Sequence, residues 1–342
     1  MNARQIRRLA DLRAGASYDR VSELAFRIRR RPRGVLHSDV TVTKRRIETA
    51  IHAGVRFLER RQERSGVLRG FLLFPGASTT WVTAHVAFVL EEVPTARSLC
   101  ARAAAHLESI GATDGGWGYN RRVAPDCDSS AQALMVAGRF ELPCEPFLLR
   151  NLAAAQLPCG GFPTYVGDTT SATGWQSPHP EVSALVAEAL RRAGGFDDRV
   201  DRCSRWLDRS MTAGVLPSYW WDDAAYSMWV QARTCRLGRD GSAAVRAALD
   251  EHRACPQLAM LLTAAAHAPL SDATLTDAAS VLLGQQLSDG SWTCSPCLRV
   301  TDPASFTAGS GAPGPVVADR RRVFSTAHAV AALWATGRRL VA

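Results

Sequence analysis

Stretches in which almost every position is apolar alternate along this chain with stretches whose apolar residues recur only every three or four positions. The first kind covers residues 80–90, 128–140, 181–192, 223–235, 256–268 and 324–336. The second covers 43–61, 95–109, 145–155, 200–211, 242–251 and 274–287. Spacing such as Ile47, Ile51, Val55 and Leu58 predicts amphipathic helices. A helix apolar on all sides belongs inside a protein, and a one-sided helix belongs outside. Six inner and six outer helices in alternation predict an all-α fold, an (α/α)6 barrel. No strand-period run longer than four residues competes with it.

A turn pattern punctuates the alternation. Gln62-Glu63-Arg64-Ser65-Gly66 leads to Phe71, and Asp114-Gly115-Gly116-Trp117-Gly118-Tyr119 follows later. Gln156 leads to Cys159-Gly160-Gly161-Phe162, and Gln286-Leu287-Ser288-Asp289-Gly290-Ser291-Trp292 comes last. Gly214-Val215-Leu216-Pro217-Ser218-Tyr219-Trp220 is a degenerate copy. The copies lie roughly 40–70 residues apart, the scale of stacked helical units. If the inner helices all run one way, the residues after the turns converge on one rim. Those residues are Trp81, His85, Asp126, Asp128, Glu181, Asp222, Asp223, Phe324 and His328.

Charge adds an arm to this picture. The net charge is +9, and residues 1–46 hold thirteen Lys/Arg against four Asp/Glu, so they carry all of the excess. We expect a basic N-terminal arm over 1–42 and a single barrel domain over 43–342. Such an arm suits an anionic membrane surface or phosphates, or simply packs, solvated, on the body. Nucleic acid is not expected, because no binding motif accompanies the arginines. No apolar run approaches the roughly 20 residues that span a bilayer. The nine cysteines are scattered and odd in number, which favours a reducing, cytoplasmic compartment, with peripheral membrane contact through the arm as an addition. Cys294-Ser295-Pro296-Cys297 is the one close pair. It lacks the second pair of a zinc site, so no metal is expected there.

The candidate chemistry lies at Pro125-Asp126-Cys127-Asp128-Ser129-Ser130-Ala131. Asp128, Ser129 and Ser130 are N-cap residue types placed where an apolar helix begins. The carboxylates either cap that helix or also deliver a proton. His85 and His328 sit in apolar helices, as satisfied core histidines or as functional groups. Asp223 reads as a cap or as a cavity residue beside Trp220 and Trp221. Trp117 and Trp292, inside the turns, read as packing posts. Arg121-Arg122 is either solvated or a diphosphate contact near the acid.

These residues resemble a family. The Gln-x-x-x-Gly-x-Trp turns are similar to the QW repeats of terpene cyclases and squalene-hopene cyclases. Asp114-Gly-Gly-Trp-Gly-Tyr followed by Pro-Asp-Cys-Asp-Ser-Ser-Ala looks like that family's approach to its Asp-x-Asp-Asp acid motif. The resemblance covers residues 45–336. It implies that Asp128 is the protonating general acid of a class II cyclase and that Asp126 matches the first aspartate of the motif. Ser129 stands where Asp is usual; cyclases of drimane-type sesquiterpenes are similar, with Asp-x-Asp-Thr-Thr. Squalene cyclases have two barrels and this chain has room for one, which points to a farnesyl- or geranylgeranyl-sized substrate.

Such chemistry needs an acid still protonated near neutral pH. Burial against an apolar cavity retains the proton. A helix N-terminus, with Ser129 and Ser130 as donors, would stabilise the conjugate base, and Asp126 and Cys127 would orient the acid. The carbocation would then meet aromatic faces, each worth about 0.5–2 kcal/mol to a cation. The expected substrate-binding set is Trp81, His85, Trp175, Trp220, Trp221, Asp223, Tyr226, Trp229, Phe324 and His328. No redox cofactor or protein-held metal is implied; Mg²⁺ would assist only a diphosphate substrate.

Two alternatives use the same barrel. Asp223-Ala224-Ala225-Tyr226-Ser227-Met228-Trp229 resembles the zinc segment of protein prenyltransferase β subunits, with His328 at the third ligand position. Ala225 replaces the cysteine there, leaving two of the usual three ligands. The other is a non-catalytic barrel that binds a prenyl chain or a peptide.

Overall fold

The computed structural model describes residues 42–111, 115–167, 174–235, 237–301 and 314–341. The expected arm lies outside them apart from Val42, as does Asp114. In chain order the described residues form α1 (Lys44–Arg61), β1 (Leu72–Leu73), β2 (Gly76–Ala77), α2 (Thr80–Val89), α3 (Arg97–Ile110), α4 (Cys127–Arg139), α5 (Pro146–Ala154), α6 (Pro180–Ala193), α7 (Asp197–Ser210), α8 (Ala225–Thr234), α9 (Arg239–Glu251), α10 (Gln257–Ala266), α11 (Asp272–Gly284), β3 (Leu298–Arg299), β4 (Val316–Val317) and α12 (Val323–Val341).

The even-numbered helices form a closed ring. Each packs on the next, and α12 returns to α2. The odd-numbered helices pack outside, with α1 against α12. Burial explains the sorting. Every residue of α2 is buried, and so is every residue of α10 except Ala266. On α7 only Val200, Cys203 and Leu207 are buried, one stripe on an otherwise charged helix. The strands are two-residue pairs, Leu72 opposite Ala77 and Leu298 opposite Val317, and they sit in the loops between helices.

Element ends moved where local bonding decided them. The start of α8 slips from the expected Asp223 to Ala225, because Asp223 Oδ1 accepts the Ala225 N–H at 2.8 Å. α12 runs past the expected Thr336. Its extra turn brings Arg339 against the carbonyl groups of Ala265, Ala266, Ala268 and Leu270 at the end of α10.

The repeated turns are staples between neighbouring outer helices. The Gln62 amide donates to Gly66 O at 2.8 Å and to Leu99 O of α3 at 3.0 Å. Gln156 does the same to Gly160 O and Arg199 O of α7, at 2.9 and 2.8 Å. Gln286 joins Gly290 O to Ala50 O of α1, at 3.0 and 2.9 Å, which ties the last outer helix to the first. The turn glycines have φ of 89°, 104° and 91° at Gly66, Gly160 and Gly290, values that L side chains rarely adopt. A Cβ on any of them would also strike a carbonyl of the neighbouring outer helix. Two residues after Gly66, Gly115, Gly160 and Gly290, a backbone N–H donates to a hydroxyl of the next inner helix: Leu68 to Thr83, Trp117 to Ser130, Phe162 to Ser183 and Trp292 to Thr326. Trp117 and Trp292 are packing posts, their indoles bonded to Leu107 O and Leu282 O.

The inner helices are parallel, so their ends gather in two places. At the C-terminal end Glu91 accepts from Arg192 at 2.9 and 3.0 Å and from Arg233 at 2.8 Å. The Arg233 guanidinium lies 4.7 Å from the Phe88 ring. This cluster joins α2, α6 and α8 at that end of the ring. The N-terminal ends form the rim.

Candidate active site

The rim is organised by one helix entry. Before α4, the Asp126 N–H donates to Trp117 O at 2.9 Å and the Cys127 N–H to Thr164 O at 2.8 Å. The N-cap is Asp126, not Asp128 as its residue type suggested. Asp126 Oδ1 accepts from Ser129 N and Oδ2 from Ser129 Oγ, both at 2.7 Å. Ser129 therefore serves Asp126. Ser130 serves the turn, accepting from Trp117 N and donating to Trp117 O. The expectation that Ser129 and Ser130 donate to Asp128 is corrected on both counts: the first helical turn points them away from it.

Asp128 is bonded by residues from further along the fold. Trp81 Nε1 of α2 donates to Oδ2 at 2.6 Å, and Gln132 Nε2, one turn along α4, donates to Oδ1 at 2.8 Å. The side chain is enclosed by protein, yet the residue is not fully covered. Burial pushes its carboxyl up to about 6, against the lowering effect of Trp81 and Gln132. Burial and the Asp128 charge push Asp126 up to about 7. Two buried carboxyls this close do not both ionise, so the pair retains a proton into the neutral range. Asp126 has a backbone N–H, a hydroxyl and the helix N-terminus to hold a negative charge.

Three pairs of residues four apart face one another across α12, α2 and α4: Phe324 with His328, Trp81 with His85, and Asp128 with Gln132. They make two tiers. In the upper tier Trp81 stacks over Phe324 with centroids 6.1 Å apart and bonds Asp128. In the lower tier His328 Nε2 lies 2.9 Å from His85 Nε2, and His85 Nδ1 lies 2.8 Å from Gln132 Oε1. Burial lowers His85 to about 3 and His328 well below the usual range, so both imidazoles are neutral.

Aromatic rings surround the upper tier. Trp221 stacks on Tyr226 at 4.0 Å and on Phe324 at 5.2 Å, and Phe71 packs on Phe324 at 5.2 Å. Trp229 is buried a turn lower, edge-on to His328 at 4.8 Å. Trp175 and Trp220 form a half-buried pair, 5.5 Å between centroids, at the rim. Their indoles donate to Thr301 and Thr164 hydroxyls at 2.9 and 2.8 Å. Asp223 is occupied as the brace of the α8 turn, and Asp222 pairs with Arg299 at 3.0 Å. Arg121 and Arg122 are exposed.

Gln132 and Tyr165 were absent from the expected site, and Glu181 was expected on the rim without a role. Gln132 stands four residues after Asp128, the spacing that puts two helical side chains together. Tyr165 packs on Trp175 at 5.5 Å, and its hydroxyl is pushed far up by burial and by the charges of Asp126 and Asp128. Glu181 fixes the Trp220 loop, its Oε1 accepting from Tyr219 N and Trp220 N at 2.7 and 2.9 Å. Burial pushes Glu181 up to about 7. Among the described residues no group of three or more His, Cys, Asp or Glu is placed to hold a metal ion. None of their helices is long and apolar enough to cross a membrane.

No family model matches the chain, and no curated protein matches it in sequence. Solved structures do. The type II terpene cyclase MstE from Scytonema, without ligand, superposes with a TM-score of 0.74 at 23% identity, over 87% of this chain and 100% of that one. A variant of MstE in complex with its substrate, geranylgeranyl dihydroxybenzoate, gives 0.72 at 23% identity over 86% and 98%. A protein from Actinoplanes gives 0.74 at 25% identity over 85% and 99%. The chain has the all-helical toroidal fold of these proteins.

Proposed function

We propose that the protein is a class II terpene cyclase, an enzyme that starts cyclisation of a linear isoprenoid by protonating a terminal alkene or epoxide. The observation that carries this reading is Asp128: a carboxyl raised by burial and held by two donors, beside a cluster of aromatic rings at the N-terminal rim of the inner helices. The O–H bond of Asp128 breaks as a C–H bond forms on the alkene, and the carboxylate left behind is held by Trp81 and Gln132. Ring closure moves the positive charge past π faces, and the rings assigned to that task are Trp81, Trp221, Tyr226, Phe324 and the Trp175–Trp220 pair. Trp229 and His328 act from the layer below. Loss of a proton from the final cation to water ends the sequence, and a proton from solvent restores Asp128.

The substrate is of sesqui- or diterpenoid size. A prenylated aromatic acid of the kind bound by MstE is the first compound to try, ahead of a diphosphate. No step uses Mg²⁺. Zinc-dependent transfer is disfavoured because Asp223 and His328 are committed elsewhere, to Ala225 N and to His85. The test is incubation of the protein, with and without Asp128→Asn, with geranylgeranyl dihydroxybenzoate and with farnesyl and geranylgeranyl diphosphates. Cyclic products that vanish in the variant are expected; unchanged turnover in the variant removes Asp128 from the mechanism.

A further inference from the structure

The lower tier of the site has a direction. We propose that His328, His85 and Gln132 are positioning residues, a polarised chain of hydrogen bonds that aims the proton of Asp128 into the barrel. The catalytic consequence rests on Asp128 being the acid; the polarity itself does not.

The argument follows the donors. Gln132 bonds Asp128 at one end of its amide and His85 at the other, 2.8 Å each. The NH₂ group of Gln132 donates to Asp128 Oδ1, and its carbonyl oxygen faces His85 Nδ1. His85 Nδ1 must then carry a hydrogen. A neutral imidazole has one N–H, so His85 Nε2 is an acceptor. His328, 2.9 Å away, must donate from its own Nε2. That leaves His328 Nδ1 as a bare acceptor, and this buried atom indeed has no partner. The reverse polarity would strand a buried N–H at the same position. Buried donors without partners are rarer in proteins than under-used acceptors, which favours the first direction. Arg233, whose charge acts on both imidazoles, opposes adding a proton to either.

Trp81 is a donor as well, so both oxygens of Asp128 face N–H groups. When Asp128 is protonated, neither of these neighbours offers its hydrogen an acceptor. The hydrogen is left on the side away from Trp81 and Gln132, and that is the side from which an alkene would have to approach. The groups facing this tier from the elements packed against it are Trp229, Tyr226 and Arg233 of α8, with Phe324 of α12.

The test reads imidazole tautomers by ¹⁵N NMR on labelled full-length protein between pH 5.5 and 8. His85 is expected with its hydrogen on Nδ1, His328 with its hydrogen on Nε2, and neither ring titrating. A hydrogen on His85 Nε2, or a titrating ring, overturns the proposal whether or not the protein cyclises anything. Asp128→Leu, which removes the terminal acceptor, should convert both signals to tautomer mixtures; retained single tautomers would also overturn it. With an active substrate, Gln132→Leu is expected to lower kcat about 10- to 100-fold, the range for one hydrogen bond to a charged group. KM should stay within twofold. His328→Phe should lower kcat less and Gln132→Glu should not rescue, because it puts an acceptor where a donor is needed. Equal losses in kcat and 1/KM across the series would mark a purely structural role and sink the positioning claim.

Discussion

Asp126 and Asp128 stand two residues apart at the start of α4 and take different partners: Ser129 binds the first, Trp81 and Gln132 the second. One carboxyl anchors the helix and the other faces the interior. Asp126→Asn tests that division. Asn is as good an N-cap as Asp, so stability should change by under about 1 kcal/mol by thermal melting. Activity should survive, with its limb on the pH profile moved to lower pH, because a neighbouring charge no longer holds the proton on Asp128.

Trp81→Phe keeps the ring wall and deletes one donor. Loss of a hydrogen bond to a charged group is worth about 1.5–3 kcal/mol, so kcat should fall about 10- to 100-fold while the fold persists. Steady-state kinetics and circular dichroism on the same preparation separate the two effects.

The raised carboxyls give a signed pH dependence. In the folded chain Asp128 rises to about 6, and Asp126 and Glu181 to about 7, from ordinary values near 4. Between those limits the folded protein binds more protons than the unfolded chain. Their contribution to stability is therefore fully present below about pH 4 and is lost as pH rises through 6 to 7. Their share of the unfolding free energy should decline from pH 5 to 7.5. Glu181→Gln or Asp128→Asn should flatten that slope in urea titrations. The cyclisation rate should rise as pH falls through 6; a rate that climbs above pH 7 would contradict an acid-initiated step.

The architecture was legible because its signal is compositional. Residues 80–90 are apolar on every side while Val200, Cys203 and Leu207 make one stripe, and burial alone sorts such helices into two rings. The acid was legible from its helix-start context and its resemblance. Its partners were not. Ser129 and Ser130 look like donors to Asp128, but at the start of a helix each is claimed by a backbone or cap bond that local sequence does not display. The His85–His328 contact joins positions 243 apart, and nothing local announces it. Gln132 was within reach, since four-residue spacing from Asp128 is visible in the chain.

The turn staples carry a stability prediction. Gly290→Ala would place a methyl 2.4 Å from Ala53 O at a φ of 91°. Strain at such a position is of order 1–3 kcal/mol, and the clash adds to it. A fall in Tm of several degrees is expected, with the kinetic constants of the surviving folded protein unchanged.

The Glu91–Arg192–Arg233 cluster clamps α2, α6 and α8 together at the end of the ring opposite Asp128. With that base clamped, the rim at Asp128 is the expected doorway for traffic in both directions. Fresh substrate and finished polycycle then compete for the same passage, and a turnover ends only when the product backs out. Added product should raise the apparent KM and leave kcat alone, the kinetic mark of a shared entrance.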